Sequence, residues 1–544
     1  MMMTTTMRKK SASFLFRYSR IFHSDQPLSL NHNNSLLRSG TSLCMPISRY
    51  IGSFRGCRKA FQASAINHFR MPCGFQFRRF TSLSSVVQRN PSFSRLNSDD
   101  IDFFRSILGE KNVVQDEDRL LDANTDWLRK YRGTSKLLLQ PRSTEEVSQI
   151  LKYCNSRDLP VVPQGGNTGL VGGSVPVFDE VSGILVCEAG GILENLSSFL
   201  DSQGFIMPLD LGAKGSCQIG GNVSTNAGGL RLVRYGSLHG SVLGLEVVLA
   251  DGSVLDMLGT LRKDNTGYDL KHLFIGSEGT LGIITKISIL TPPKLPATNV
   301  AFLGCKDYSS CQKLLVDAKR KLGEILSAFE FLDNMSMDLV LNHLEGIRNP
   351  LPPTMHNFYV LIETTGTDES YDKEKLEAFL LSSMEGGLIS DGVLAQDINQ
   401  ISSFWHIREG IPEALMKAGA VYKYDLSLPV EKMYDLVEAM RTRLGNSAKV
   451  IGYGHLGDGN LHLNISTPQY DDAVFAQIEP FVYEWTSNHR GSISAEHGLG
   501  LMKANKIFYT KSSETVQIMA SIKKLLDPRG ILNPYKVLPH SLAS

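Results

Sequence analysis

"VVPQGGNTGLVGGSVPVFDE", residues 161–180, decides the fold class. Val161 and Val162 belong to the short apolar run "LPVVP", which reads as a strand, and five glycines follow within residues 165–173. Glycine lets backbone approach a ligand closely, and successive N–H groups form an anion-binding nest. A doubly wound dinucleotide fold needs its glycines to open straight into a helix. "SVPVFDE" is no helix start. The expectation is therefore an α+β domain in which loops around the sheet, and no helix N-terminus, hold a nucleotide.

Two more clusters support this reading. "GSCQIGGNVSTNAGG" covers residues 215–229, and "IGSEGTLGIITKISIL" runs from loop into strand over 275–290. One glycine-rich loop is weak evidence; three within residues 131–294 point to one ligand-holding domain. Ser143 followed by Glu146 predicts a capping box, and Val147, Ile150, Leu151 and Cys154 follow at helical spacing. "GILVCEAG" reads as a strand, and "SVLGLEVVLADGSVLDM" as a hairpin turning at Asp251-Gly252. The prolines of "TPPK" (291–294) stop either kind of element, so a second domain is expected over 295–544. There, strand-like runs ("NVAFLGC", "NFYVLIETTG") alternate with amphipathic helices ("SYDKEKLEAFLLSSM", "PVEKMYDLVEAMRTRL"), an α+β pattern. "IKKLLDPRGILNPYKVLP" reads as a short helix with an irregular end.

The 544 residues, 42% hydrophobic and 20% charged, suit a multidomain globular protein. The net charge of +1 hides a split. Residues 1–98 hold 15 Lys/Arg and one acid, Asp25, which leaves 41 Lys/Arg against 54 Asp/Glu for the rest. An Arg- and Ser-rich, acid-poor start reads as an organelle transit peptide, assigned to residues 1–80 with the mitochondrial matrix as destination, and 81–130 as an N-terminal segment. A disordered basic tail has the same composition. The acidic remainder argues against nucleic acid, and no apolar stretch is long enough for a transmembrane helix. The eight cysteines are scattered, which fits reduced thiols.

"GYGHLGDGNLHLN" (452–464) carries the chemistry of the second domain. A two-residue turn at Asp458-Gly459 sets His455 opposite His462, and opposed residues share a face about 5 Å apart. Two imidazoles at that spacing can share a metal ion; a surface hairpin with a stacked histidine pair fits equally well. Period two adds Asn464 and Tyr453 to that face. "SISAEHGLG" (492–500) brings Glu496 and His497 in a glycine-bounded setting suited to a site loop. Two histidines and one carboxylate leave coordination positions open, as a catalytic metal requires.

"PQGGNTGLVGG", "GGNVSTNAGGLR", "IGSEGTLGI" and the terminal "ILNPYK" resemble the FAD-binding domain of the vanillyl-alcohol oxidase (p-cresol methylhydroxylase, PCMH) type of flavoprotein, followed here by a C-terminal FAD-linked oxidase domain. The resemblance implies FAD held at Gly165, Gly166, Asn167, Thr168, Gly169, Gly172 and Gly173 around the pyrophosphate. It adds Pro208, Gly220, Gly221, Asn222, Thr225, Asn226 and Gly228, then Glu278, Gly279 and Ile283, and Asn533 reaching back from the tail. Within this family the chain is similar to the dehydrogenases of D-2-hydroxy acids. That branch implies His455, His462 and Glu496 as ligands of a divalent metal, zinc by resemblance, although the residues alone do not choose zinc over manganese or iron. It implies His497 as general base, with the Cα hydride leaving for the flavin. Arg408 in "WHIREGIPEAL", Lys423 in "YKYDLSLP" and Asn464 are implied as substrate contacts, where ordinary solvated charges are the alternative for Arg408 and Lys423.

The implied reaction is oxidation of D-2-hydroxyglutarate to 2-oxoglutarate, with electron transfer flavoprotein as acceptor and a homodimer as the permitted oligomer; D-lactate is the alternative substrate. The chain departs from the family pattern twice. It runs straight from Glu180 to Val181 where relatives carry a further strand and its turn. Neighbouring backbone groups are then expected to lack partners; a gene-model or splice artefact is the favoured explanation, with a rearranged subdomain or a chain that binds FAD poorly, and so a non-catalytic descendant, as the alternatives. It also has Pro412 where a threonine is expected, which removes a donor and distorts the helix unless the proline lies in the first turn.

Overall fold

The computed structural model describes residues 90–124, 135–165, 177–351 and 355–542. The transit peptide over 1–80, parts of the N-terminal segment, and Gly166, Asn167, Thr168, Gly169, Gly172 and Gly173 lie outside these residues.

Ser143 caps the helix Thr144–Arg157 by accepting from Glu146 N at 3.3 Å. The Glu146 carboxylate turns to Arg142 N (2.6 Å), so only half of the expected capping box forms. "LPVVP" is not a strand: between Pro160 and Pro163 a single residue, Val161, bridges to Leu532, because proline cannot donate to a ladder. A short antiparallel pair, β1 (Val113–Val114) with β2 (Leu138–Leu139), precedes the first sheet.

That sheet has β3 (Val177–Asp179), β4 (Ile184–Glu188), β5 (Val242–Val248), β6 (Val254–Met257) and β7 (Ile283–Leu290) in the order β3-β4-β7-β5-β6, every pair antiparallel. Leu185, Leu245 and Ile287 pack with Leu193, Leu196 and Leu200 of the helix Leu193–Ser202 in its core. The expected hairpin is present, with Val248 opposite Val254 and Gly252 at φ +82°. The short Glu180–Val181 junction does not strand backbone groups. It forms a tight turn in which Asp179 Oδ1 accepts from Val181 N (3.1 Å), and β4 is paired on both edges, by β3 and β7. The 291–294 stretch ends β7 and is pinned, since Thr291 N donates to Gly183 O (2.7 Å) and Ile206 N to Pro292 O (2.9 Å).

The second sheet holds β8 (Ala297–Cys305), β9 (Leu326–Asp333), β10 (Phe358–Gly366), β11 (Asp391–Leu394), β12 (Ala420–Ser427), β13 (Lys449–His455) and β14 (Asn460–Thr467). Their order is β11-β8-β10-β9-β13-β14-β12, again wholly antiparallel. Strand alternation sends Phe329, Phe331, Tyr422, Tyr424 and Leu463 into one core. Leu332, Ile451 and Tyr453 point to the opposite face and pack with Ile407, Ile411 and Leu415 of the helix Ile398–Ala418. The polar residues of interest lie on the same face, on β9, β13, β14 and β12.

Asp333 ties β9 to β13. Its Oδ1 caps the helix Asn334–His343 at Ser336 N (2.8 Å), and its Oδ2 accepts from Arg441 Nη2 (2.7 Å), Tyr434 OH (3.2 Å) and Gly452 N (2.9 Å). Asp333→Ala leaves Ser336 N and Gly452 N without this acceptor in the interior and is expected to cost about 3 kcal/mol of unfolding free energy. Urea denaturation measures it; a loss below about 0.5 kcal/mol contradicts the assignment.

Candidate active site

The hairpin register differs from the two-residue turn. His455 pairs with Asn460, Tyr453 with His462 and Ile451 with Asn464. Residues 456–459 form the connection, with Asp458 N and Gly459 N both donating to His455 O (3.3 and 3.1 Å) and Gly459 at φ +83°. A slip of two residues keeps every side chain on its face. His455 and His462 therefore still meet, diagonally, with ring centroids 5.2 Å apart. Across the adjacent strands β9, β13, β14 and β12, one face carries Glu330, His455, Tyr453, His462, Asn464, Asp425 and Lys423.

Two buried carboxylates flank the histidines, and neither was expected from the motifs. Glu330, opposite His455 in the ladder, accepts from His455 Nδ1 (2.8 Å) and Arg408 Nε (2.9 Å). Burial alone would raise its pKa, but His455 and Arg408 outweigh burial and hold it below the usual range. Asp425, opposite His462, accepts from Asn460 Nδ2 (2.9 Å), Glu496 N (2.8 Å) and His497 N (3.0 Å). Burial again opposes ionisation, and the imidazoles of His497 and His462 with these N–H donors depress its pKa. Burial, then the nearby His455, push His462 well below the ordinary histidine range, which keeps it a neutral potential ligand.

Glu496 and His497 reach the face from the irregular 492–500 loop. Ligand atoms of His455, His462 and Glu496 lie within 4.8 Å of one another, as do those of Asp425, Glu496 and His497. Both Asp425 oxygens already accept hydrogen bonds, so the first set is the better metal-binding group. His455 Nε2 stands 3.8 Å from Glu496 Oε1. His497 is 65% exposed at its side chain, with Nδ1 3.6 Å from Asp425 Oδ2 and its ring stacked on His462. The loop is also gripped from the first sheet's side. Gly229 N donates to Glu496 Oε1 (2.8 Å), and Glu278 accepts from Leu499 N and Gly500 N (2.7 and 2.8 Å).

Arg408 is not a solvated charge. It is 5% exposed, with its guanidinium carbon 4.9 Å from the Tyr453 ring centroid. Lys423 pairs with Asn464 in the ladder and has no hydrogen-bond or ion-pair partner among the described residues. Burial pushes its ammonium below the ordinary lysine range. Asn464 is buried and donates to His462 O (3.3 Å). Pro412 lies deep inside the helix Ile398–Ala418, well past the first turn. Lacking an N–H, it leaves the Arg408 carbonyl, four residues earlier, without its helical donor.

Among the described residues, three of the stretches implied for FAD meet. Asn533 Nδ2 donates to Glu278 O (2.6 Å), Glu278 N to Ser224 O (2.8 Å), and Asn533 N to Val161 O (2.8 Å). A Cβ on Gly279 would meet Pro163 at 3.2 Å, and one on Gly165 would meet Gln218 Oε1 at 3.3 Å. Pro208 is buried nearby in sequence to Met207, whose carbonyl takes Arg231 Nη1 (2.8 Å), and Ile283 opens β7. The second glycine cluster is partly helical, over Ile219–Thr225, with Asn226 left-handed at its end and Thr225 Oγ1 on Gly221 O (3.2 Å). Gly220 and Gly228 are explained by protein neighbours: their Cβ atoms would strike Ala189 Cβ at 2.6 Å and Glu496 Oε1 at 2.7 Å. Gly221 faces open space. Asn222 Oδ1, Asn226 Oδ1 and Asn533 Oδ1 are buried without partners among the described residues, as acceptors awaiting a ligand's donors would be.

Two family profiles match the chain. Residues 135–258 match the profile of an FAD binding domain, and 294–537 that of the FAD linked oxidases, C-terminal domain. The chain is 68% identical over 531 residues to the mitochondrial D-2-hydroxyglutarate dehydrogenase of Arabidopsis thaliana, covering 92% of this chain and 95% of that one. The Danio rerio protein of the same name is 58% identical over 84% of this chain and 88% of its own. The crystal structure of p-cresol methylhydroxylase with substrate bound shares the fold at a TM-score of 0.63 and 14% identity, over 81% of this chain and 97% of that one.

Glu278→Ala removes the acceptor of two loop amides. Hydrogen exchange at Leu499 and Gly500 is expected to accelerate about tenfold or more; unchanged protection would show that the loop is held by other means.

Proposed function

The chain belongs to the FAD-linked oxidases, in the branch of the D-2-hydroxyglutarate dehydrogenases, and is an FAD-dependent dehydrogenase; on that premise we propose that it oxidises D-2-hydroxyglutarate to 2-oxoglutarate on the face bearing His455, His462, Glu496 and His497. The observation that carries the reading is the gathering of three ligand-type side chains within 4.8 Å on one sheet face, beside the half-buried Lys423 of that face and the buried Arg408 of the helix packed on it.

FAD, when bound, supplies the acceptor for the electron pair that leaves the substrate carbon. A divalent ion, zinc by family resemblance, would be held by His455 Nε2, a ring nitrogen of His462 and the Glu496 carboxylate, and supplies Lewis acidity at the substrate hydroxyl. His497 takes the hydroxyl proton on Nε2, its other nitrogen lying toward Asp425. Asp425, held ionised, then faces the imidazolium and limits the cost of that charge. Lys423 and Arg408 bind the distal carboxylate, and the Asn464 amide adds a polar contact. Tyr453, fully packed between Arg408 and His462, keeps water from that side.

The protein is mitochondrial, as its relatives are named to be, and the basic, acid-poor residues 1–98 suit import into the matrix. Electron transfer flavoprotein as acceptor and a homodimer are carried over from the resemblance. D-lactate has no second carboxylate, so Lys423 separates the two substrates without disturbing the Arg408 ion pair. Lys423→Met should raise KM for D-2-hydroxyglutarate about tenfold or more while leaving that for D-lactate within about threefold. Equal effects on the two acids in steady-state kinetics would contradict the substrate assignment.

A further inference from the structure

Glu330 stands in "SAFEFLD", residues 327–333, a strand buried along its whole length, and is itself 1% exposed. A lone carboxylate there would be strongly unfavourable unless paired and hydrogen-bonded. It is paired twice. Oε1 lies 2.8 Å from His455 Nδ1; Oε2 lies 2.9 Å from Arg408 Nε and 2.8 Å from Arg408 Nη2. The two partners come from different elements, β13 and the helix Ile398–Ala418, and from the two functions assigned above, ion and substrate anchor.

We propose that Glu330 is a positioning residue that sets the metal site and the substrate-carboxylate anchor together. An ionised carboxylate can only accept, so it fixes the proton on His455 Nδ1 and leaves the Nε2 lone pair directed at the space shared with Glu496. Metal-bound histidines commonly need such a partner on the other ring nitrogen. The same carboxylate accepts from Arg408 Nε and stands 2.8 Å from Nη2, which is buried and makes no hydrogen bond among the described residues, so the guanidinium is held in place with a donor still to offer. Movement of Glu330 therefore disturbs both functions, whereas a buried acid that merely neutralised Arg408 would have no reason to touch His455. The inference rests on the metal-site reading above.

The test uses flavin-loaded protein stripped of metal, titrated with zinc against a chromophoric chelator. Glu330→Gln keeps the shape, but its amide can accept from His455 or face Arg408 with oxygen, never both. Zinc affinity should fall about 10- to 100-fold, and with zinc saturating, KM for D-2-hydroxyglutarate should rise about tenfold or more. Zinc affinity within about twofold of wild type would overturn the proposal. Failure of the wild-type protein itself to bind zinc would instead refute the metal-site reading. Should Glu330→Gln not fold, the zinc-loaded wild-type crystal structure decides: zinc on His455 Nε2 with Glu330 on Nδ1 supports the proposal, and His455 turned away from Glu330 overturns it.

Discussion

The 495–500 loop has no ladder or helix of its own, and the chemistry of the site depends on where it is held. Asp425, from the second sheet, takes the N–H groups of Glu496 and His497. Gly229 and Glu278, from the glycine clusters around the first sheet, take the Glu496 carboxylate and the N–H groups of Leu499 and Gly500. One short segment thus joins the glycine clusters to the histidine side. A Cβ on Gly228 would press on the Glu496 carboxylate, 2.7 Å from its Oε1. The constraint makes physical sense for a dehydrogenase whose acceptor and whose proton-taking group must sit a bond length or two from the same carbon.

Behind the loop, the arrangement is a layered one. Each histidine has a buried carboxylate beside it, Glu330 for His455 and Asp425 for His462 and His497. Those carboxylates stay ionised against burial only because cationic or N–H partners surround them. Such networks are costly to build and rigid once complete. Rigidity of this kind suits the roles proposed for these imidazoles.

Much of this was legible in the sequence, and the remainder fails for definite reasons. The rejection of a glycine-to-helix nucleotide fold held, and so did the placement of His455 and His462 on one face. The assumed turn was wrong by two residues, yet parity survived because strand side chains repeat every two. Glu330 and Asp425 were missed because a single acid inside an apolar strand looks like ordinary alternation. Their partners are set by strand order, β9 beside β13 and β12 beside β14, which no local pattern encodes. The short Glu180–Val181 junction looked damaging, but Asp179 closes it as a turn and β4 keeps both neighbours. Pro412 sits in the helix interior, four residues beyond Arg408, a position the sequence alone did not settle.

The central claim is that His455, His462 and Glu496 hold a divalent ion next to the flavin. Anomalous diffraction at the zinc edge, from crystals of the FAD- and zinc-loaded protein, tests it most directly. The account predicts one strong peak within about 2.3 Å of His455 Nε2, a His462 ring nitrogen and a Glu496 oxygen. A peak held by Asp425 and His497, or no peak among these residues, would contradict it.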